Sequence, residues 1–125
     1  MKNFISTIIL LLSLSACTHL NAYERDRLQS LRGRGITVDT PQTQWERPAS
    51  PAAAGALNLL PGGGNFYLAS GNAGDSNHYT YGFLNLITWP LSILWAVPEG
   101  AVDAQTINER DLLYHYTYSN SAAQK

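Results

Sequence analysis

The stretch LNLLPGGGNFYLASG, residues 57–71, places three consecutive glycines between two apolar runs. A phosphate-binding P-loop would need a lysine and then a serine or threonine directly after its glycines. Here the run continues as NFY, and the chain has no lysine between its second and its last residue. We therefore predict that Gly62, Gly63 and Gly64 allow a sharp bend and a close approach of two backbones.

The residues around these glycines carry almost no charge. Between Arg47 and Glu99 the only formally charged residue is Asp75, whereas about 25% of the residues of a soluble domain are charged. Such a stretch must be buried in protein, in lipid or in an oligomer interface. We predict that residues 48–98 form an apolar helical hairpin, with a helix over 51–60, a break at the glycines and a second short turn.

The second half of this hairpin, GFLNLITWPLSILWAV (82–97), is the more apolar. Its leucine, isoleucine, valine and phenylalanine residues contribute roughly −2 to −5 kcal/mol on an insertion scale, against the cost of Asn85 and Pro90. This composition favours a segment that packs in the membrane or in a protein interface. The residues expected to make that packing are Gly62, Gly63, Gly64, Phe66, Tyr67, Trp89 and Trp95.

The N-terminus has the pattern of an export signal, with Lys2, a short apolar run and small residues before Cys17. Residues 14–17, Leu-Ser-Ala-Cys, resemble the lipobox of bacterial lipoproteins. The resemblance implies that residues 1–16 are a signal peptide that is removed, and that Cys17 is acylated on its thiol and on the new amino terminus. Lipidation would also explain a single unpaired cysteine in an exported chain. The alternative is an ordinary secretory leader with a chance cysteine.

The position after the cysteine bears on localisation. It is Thr18 rather than aspartate, and in lipoproteins of Gram-negative bacteria that pattern usually accompanies transfer to the outer membrane. The resemblance therefore implies a cell-envelope protein that is bound to the membrane through its N-terminal lipid and, in a Gram-negative cell, faces the periplasm. The formal net charge is only −1, so the chain has no electrostatic footprint for nucleic acid.

Charged segments flank the hairpin on both sides. Residues 17–47 predict a lipid-anchored tether with a short helix and, at 35–40, a strand. Residues 99–118 predict an amphipathic helix followed by a strand in LLYHYTYS, where alternate residues are tyrosine. We expect the two strands to pair, and residues 119–125 to form a disordered tail. The predicted fold is mainly α: a small lipid-anchored domain with an apolar helical hairpin, an amphipathic helix and a minor two-stranded β pair.

The hairpin also resembles the TM2 type of small membrane domain, in which two apolar helices flank a tight turn. The matching residues are Gly64, Phe66, Tyr67, Leu68, Gly82, Phe83, Leu84, Trp95 and Asp103. The Asn-Phe-Tyr and Trp-Pro features resemble a class of uncharacterised bacterial lipoproteins as well. The TM2 resemblance implies membrane association without enzymatic activity. Pro90 and Pro98 are expected to break the second helix.

No residue pattern indicates catalysis or a cofactor. Catalysis needs a nucleophile or a metal with a positioned base, whereas His19 belongs to the predicted tether and His115 to the surface of the predicted strand. His78 lies near Asp75, but further ligands for a metal site are lacking. Glu99 and Asp103 are four residues apart and would share one helix face. They could line an ion path, or Asp103 could cap the helix or accept backbone hydrogen bonds where the apolar segment ends.

These observations predict a non-enzymatic cell-envelope lipoprotein, with no cofactor and no metal. Its role would be structural or interactive, through self-association or through another envelope protein. The alternative is an oligomeric membrane channel or permeability factor that uses Glu99 and Asp103.

Overall fold

The computed structural model describes residues 18–72 and 74–122, except for the side chains of 119–122. The helices in these ranges are α1 (Ala22–Gly33), α2 (Pro51–Leu57), α3 (Gly63–Ser70), α4 (Asn77–Thr88) and α5 (Ile93–Ala122). The long helix α5 is the centre of the bundle, because α1, α2 and α3 all pack against it, and α4 packs against α3. The prediction of a mainly α fold is confirmed.

Short sequence signals set the first turns of two helices. At α1, the Glu24 backbone N–H donates to Asn21 Oδ1 at 2.8 Å, and the Asn21 N–H donates to Glu24 Oε2 at 2.7 Å. This reciprocal arrangement is a capping box. At α2, Ser50 Oγ accepts from the Ala53 N–H at 3.2 Å, and Pro51 occupies the first helical position, where its missing N–H costs nothing.

Two small apolar clusters hold the helices together. The first lies between α1 and the second half of α5, and consists of Leu28, Leu31, Ile36, Val38, Trp45, Leu112 and Leu113. The second lies between α2, α3 and α5, and consists of Ala49, Ala54, Leu68, Ala104 and Ile107. Trp45 is buried in the first cluster and its Nε1 donates to Asp111 Oδ2 at 2.7 Å, so this tryptophan closes a core and is not an exposed anchor.

Ion pairs add to the contact of α1 with α5. Arg110 Nε lies 3.1 Å from Glu24 Oε1, and Arg32 Nη2 lies 2.7 Å from Glu109 Oε1. Glu24 is buried, whereas Arg32 is exposed, so the first pair is the better shielded from solvent. The arginines at 32 and 110 therefore join the beginning of the described chain to its last helix.

The predicted β pair is wrong. Residues 35–40 form a turn in which Thr37 and Thr40 exchange backbone hydrogen bonds of 3.2 Å, and residues 113–118 belong to α5; none of the described residues is in a strand. The reason is the spacing of the buried side chains. Leu112, Leu113 and Tyr116 all contact the first apolar cluster, which is a helical spacing, and packing on that cluster overrides the alternation of tyrosines.

The hairpin differs from the prediction in its details. Helix α2 ends at Leu57, three residues before the expected end, and the second limb is divided at a cis Trp89–Pro90 peptide bond into α4 and the start of α5. Pro98 does not end a helix, since α5 continues through it; a proline there removes one backbone hydrogen bond, and the packing of α5 outweighs that loss. Helix α5 also includes 119–122 of the predicted tail, whereas 123–125 lie outside the described residues.

Candidate functional site

Helix α4 carries its polar residues inside the protein and its apolar residues outside. The buried side of the helix presents His78, Gly82 and Asn85. Phe83 and Ile87, on the other side, are exposed. A surface helix of a water-soluble domain has the opposite arrangement, with its apolar stripe on the core. The outer face of α4 therefore lacks a partner within the monomer.

The exposed apolar side chains of α4 continue into the neighbouring turns. We call the following set the apolar surface: Leu59, Leu60, Phe83, Leu84, Leu86, Ile87, Trp89, Leu91 and Leu94. Trp89 Nε1 donates to the Leu59 carbonyl at 3.5 Å, which joins two parts of this surface. Beneath it, Gly62 lies against the backbone of Gly82. Contiguous exposed apolar patches of this kind mark protein, membrane or ligand interaction sites.

Charge is segregated between two parts of the molecule. Helix α1, the segment that follows it and the second half of α5 carry nearly all the charges of the described chain, whereas α2, α3 and α4 carry none. Asp75, the one formal charge between Arg47 and Glu99, precedes α4. The apolar surface belongs entirely to the uncharged part, so the protein has one charged side and one apolar side.

Asparagine side chains form hydrogen bonds between the helices beneath the apolar surface. Asn58 Nδ2 donates to the Ala96 carbonyl at 2.6 Å, and Asn58 Oδ1 accepts from the Asn65 N–H at 3.2 Å. Asn85 Oδ1 accepts from Trp95 Nε1 at 3.1 Å. Buried polar groups need such partners, and polar side chains between closely packed helices are typical of membrane proteins.

The first described residue of the chain is bound in a polar cluster, which we define as Thr18, Asn65, Asp75, His78 and Asp103. The Thr18 backbone N–H donates to Asp103 Oδ1 at 2.7 Å, and Thr18 Oγ1 lies 3.3 Å from His78 Nε2. His78 Nδ1 lies 3.0 Å from Asn65 Oδ1. An Nδ1–H tautomer satisfies both contacts of the imidazole, because Nε2 then accepts from the Thr18 hydroxyl.

Asp103 has the most unusual electrostatics of the cluster. Its side chain is 1% exposed, and Oδ2 has no hydrogen-bond partner; the nearest nitrogen of His78, Nδ1, is 4.0 Å away. Burial raises the pKa of Asp103 above its ordinary value of 3.8, and the Thr18 N–H and the neighbouring His78 oppose that rise only in part. The carboxyl group therefore favours its neutral form more than an exposed aspartate does.

The Asp103→Asn variant tests whether burial raises the pKa of Asp103. The pKa of Asp103 is raised in the folded state. Its contribution to the free energy of unfolding is therefore fully present below pH 3.8, and it is lost as the pH rises through the folded-state pKa. Asparagine keeps the acceptor for Thr18 and does not titrate. The free energy of unfolding of the variant, minus that of the wild type, should therefore increase with pH when both are unfolded with urea at pH 4, 6 and 8.

The same series should be repeated in a His78→Gln background, since His78, Asp75 and His19 are the other titratable groups around Asp103. The increase with pH should persist there. A difference between variant and wild type that is constant over this pH range in both backgrounds would contradict the assignment.

The structure separates the predicted packing residues into two groups. Gly62, Gly63 and Gly64 are inside the bundle at the start of α3, and Phe66 packs on Gly82, where a Cβ would meet the ring at 2.8 Å. Tyr67 contacts the second apolar cluster, and its hydroxyl accepts from the Ser50 N–H at 2.9 Å. These five residues pack within the monomer, where Gly62 and Gly64 are buried and Gly63, Phe66 and Tyr67 are partly buried.

The tryptophans and acidic residues are divided in a similar way. Trp89 belongs to the apolar surface, whereas Trp95 is half-buried and bonded to Asn85. Asp103 lies inside α5, so it does not cap the helix, but it accepts a backbone hydrogen bond from Thr18. Glu99 is half-buried and has an interaction partner of its own. Cys17, the predicted lipidation residue, and the signal peptide of residues 1–16 lie outside the described residues.

Two features of the site are not evident in the sequence. The contact of Thr18 with Asp103 joins residues 85 positions apart, and no local pattern encodes it. The outward orientation of α4 is signalled in part, because His78, Gly82 and Asn85 have helical spacing within an apolar run. Within the described residues, no group of three His, Cys, Asp or Glu side chains could hold a metal ion, and no helix there is both long and apolar enough to cross a bilayer.

Comparison with known proteins supplies no function for this site. No protein-family model matches the chain, and no curated protein or solved structure is significantly similar to it. The function is therefore argued from the apolar surface and from the polar cluster that holds Thr18.

Proposed function

We propose that this protein is a non-enzymatic cell-envelope lipoprotein that is anchored through acylated Cys17 and has a structural or interaction role. The observation that carries the proposal is the orientation of α4, which leaves the apolar surface exposed while amides and a buried carboxyl group occupy the interior. Such a surface needs a partner, either the membrane or another protein. In a Gram-negative cell, we propose the outer membrane as the location and the periplasm as the compartment that the domain faces.

The polar cluster determines how a lipid anchor at Cys17 would hold the domain. Thr18 is the residue after Cys17, and it is tied to Asp103 and His78 through its backbone and its side chain. The anchored end of the chain would therefore be attached directly to the folded domain, with no flexible tether between them. A domain that is joined in this way is held against the bilayer in a restricted orientation.

The lipid itself is tested by metabolic labelling. The full chain, expressed in a Gram-negative bacterium with radiolabelled palmitate, should carry the label, be shortened by the leader and fractionate with the outer membrane. Cys17→Ser should lose the label completely, because the acceptor thiol is gone, while Ser15→Ala keeps it. A wild-type chain that is exported without label would overturn the lipoprotein assignment.

The channel alternative stays a prediction. Of its two residues, Asp103 is buried inside the monomer and bonded to Thr18, whereas an ion path would need both carboxylates to face water between subunits.

A further inference from the structure

We propose that the apolar surface is a lipid-contacting face, which inserts into the outer part of the same bilayer leaflet that holds the acyl chains, without spanning it. This inference rests on the proposed function in one respect only, since the lipid anchor brings the surface to the bilayer. The occupant of the surface is the interfacial and upper acyl region of the membrane.

The chemistry of the surface fits lipid. Its most exposed members are Leu94, Leu91 and Ile87, at 78%, 67% and 66%. Leu91 lies in the turn between α4 and α5, and Leu94 lies in the first turn of α5. Helices and turns that lie in a membrane interface bury an apolar face by about 5–10 Å and keep polar groups on the opposite side, which is how this molecule distributes its charge.

The tryptophan of the surface is also suited to contact with lipid. Trp89 is about half exposed and keeps its indole N–H toward the Leu59 carbonyl. Tryptophan is enriched at the level of lipid headgroups, because its ring is apolar and its N–H is polar. No lysine, arginine, aspartate or glutamate is part of the surface, so its insertion desolvates no charge.

The position of the anchor places the acyl chains near the beginning of α4. The part of the chain outside the structure ends at Cys17, next to Thr18, and Thr18 contacts His78 in the first turn of α4. Ile87 comes nine residues later, about 14 Å along the helix axis. Tyr79 and Phe83 are exposed between these two points. When α4 lies along the bilayer surface, the acyl chains enter at one end of the helix and the apolar surface enters at the other.

The test uses the mature sequence with Cys17→Ser, exported by an ordinary cleavable leader so that no acyl chain is added. The purified protein is mixed with vesicles of phosphatidylcholine alone, so that attraction to anionic lipid plays no part, and its partition is measured by flotation. We expect the non-acylated chain to float with the vesicles. The emission of Trp89 should shift to shorter wavelength on binding, and this shift should be absent in Trp89→Phe.

Two charged variants locate the binding face. Ile87→Glu and Leu91→Glu should each weaken the partition about tenfold, because each removes one apolar side chain from lipid and adds a charge. Tyr118→Glu is the matched control, since that side chain is also 67% exposed but lies near the other end of α5. It should bind vesicles as the parent does. All three positions are on the surface, and circular dichroism checks that the helices are intact.

The outcomes separate this inference from the lipoprotein assignment. A folded chain that does not float, or that floats equally well with glutamate at 87 or 91, would overturn the lipid-contacting face even if palmitate labels Cys17. A stable dimer in sedimentation, which loses its self-association in the same two variants and does not bind vesicles, would overturn it in favour of a second copy. Flotation of the non-acylated chain with an unlabelled Cys17 in cells would overturn only the anchor.

Discussion

Gly62→Ala should lower the free energy of unfolding by about 2–5 kcal/mol. Gly62 has φ = +68°, a left-handed conformation that costs a residue with a Cβ about 1–2 kcal/mol. A Cβ there would also collide with the carbonyl group of Gly82 on α4. Backbone atoms cannot move aside as a flexible side chain can, so overpacking adds about 1–3 kcal/mol. Urea unfolding of both proteins measures the difference.

Gly74→Ala is the control for the collision alone. Gly74 has φ = +59°, so it carries the same conformational cost, but a Cβ there meets no described atom within 4 Å. This variant should lose only about 1–2 kcal/mol. If the two variants are equally destabilised, the contact between the glycine loop and α4 is not as close as the structure has it.

Asn58→Ala should also be severely destabilising, by about 1.5–4.5 kcal/mol. Asn58 is buried, and its amide joins three elements by donating to the Ala96 carbonyl and accepting from the Asn65 N–H. Alanine leaves the buried Asn65 N–H without a partner, at about 1–3 kcal/mol, and removes the additional hydrogen bond to the Ala96 carbonyl inside α5, at about 0.5–1.5 kcal/mol. The midpoint of urea denaturation, with the slope unchanged, measures the loss.

An exposed asparagine gives the comparison for this variant. Asn77→Ala, in the first turn of α4, should change the free energy of unfolding by no more than about 0.5 kcal/mol, because its side chain is in solvent. A small loss at position 58 as well would mean that water replaces the amide, and that the interior beneath the apolar surface is wet.

The sequence predicted the elements of the uncharged half well where local signals are strong. The predicted start at Pro51 and the predicted break at the glycines are both found, because helix starts and left-handed turns depend on a few adjacent residues. The lack of charge indicated that the segment needs an apolar partner. It did not indicate that the leucines of 82–94 would point away from the protein, since the orientation of α4 depends on the distant partners of His78 and Asn85.

The C-terminal part shows the opposite case, in which a local pattern was misleading. Alternating tyrosines at 114, 116 and 118 have the period of a strand, yet Leu112 and Leu113 pack on α1 only in a helix. Tertiary burial therefore decided between two periods that the same residues satisfy. The binding of Thr18 to Asp103 is beyond sequence reasoning for the same physical reason, because it depends on how the whole bundle closes.

The contacts of residues 18–24 with α5 also determine which step of folding comes late. Thr18 bonds to Asp103, and His19 and Glu24 bond to Arg110, across 85, 91 and 86 residues. Contacts of such long range close slowly, because the entropy of the intervening loop must be lost first. Because α5 follows the other described helices in the sequence, Thr18 has no docking place until this helix has been made. In the lipoprotein that we propose, the residue after Cys17 would therefore dock only once α5 has folded.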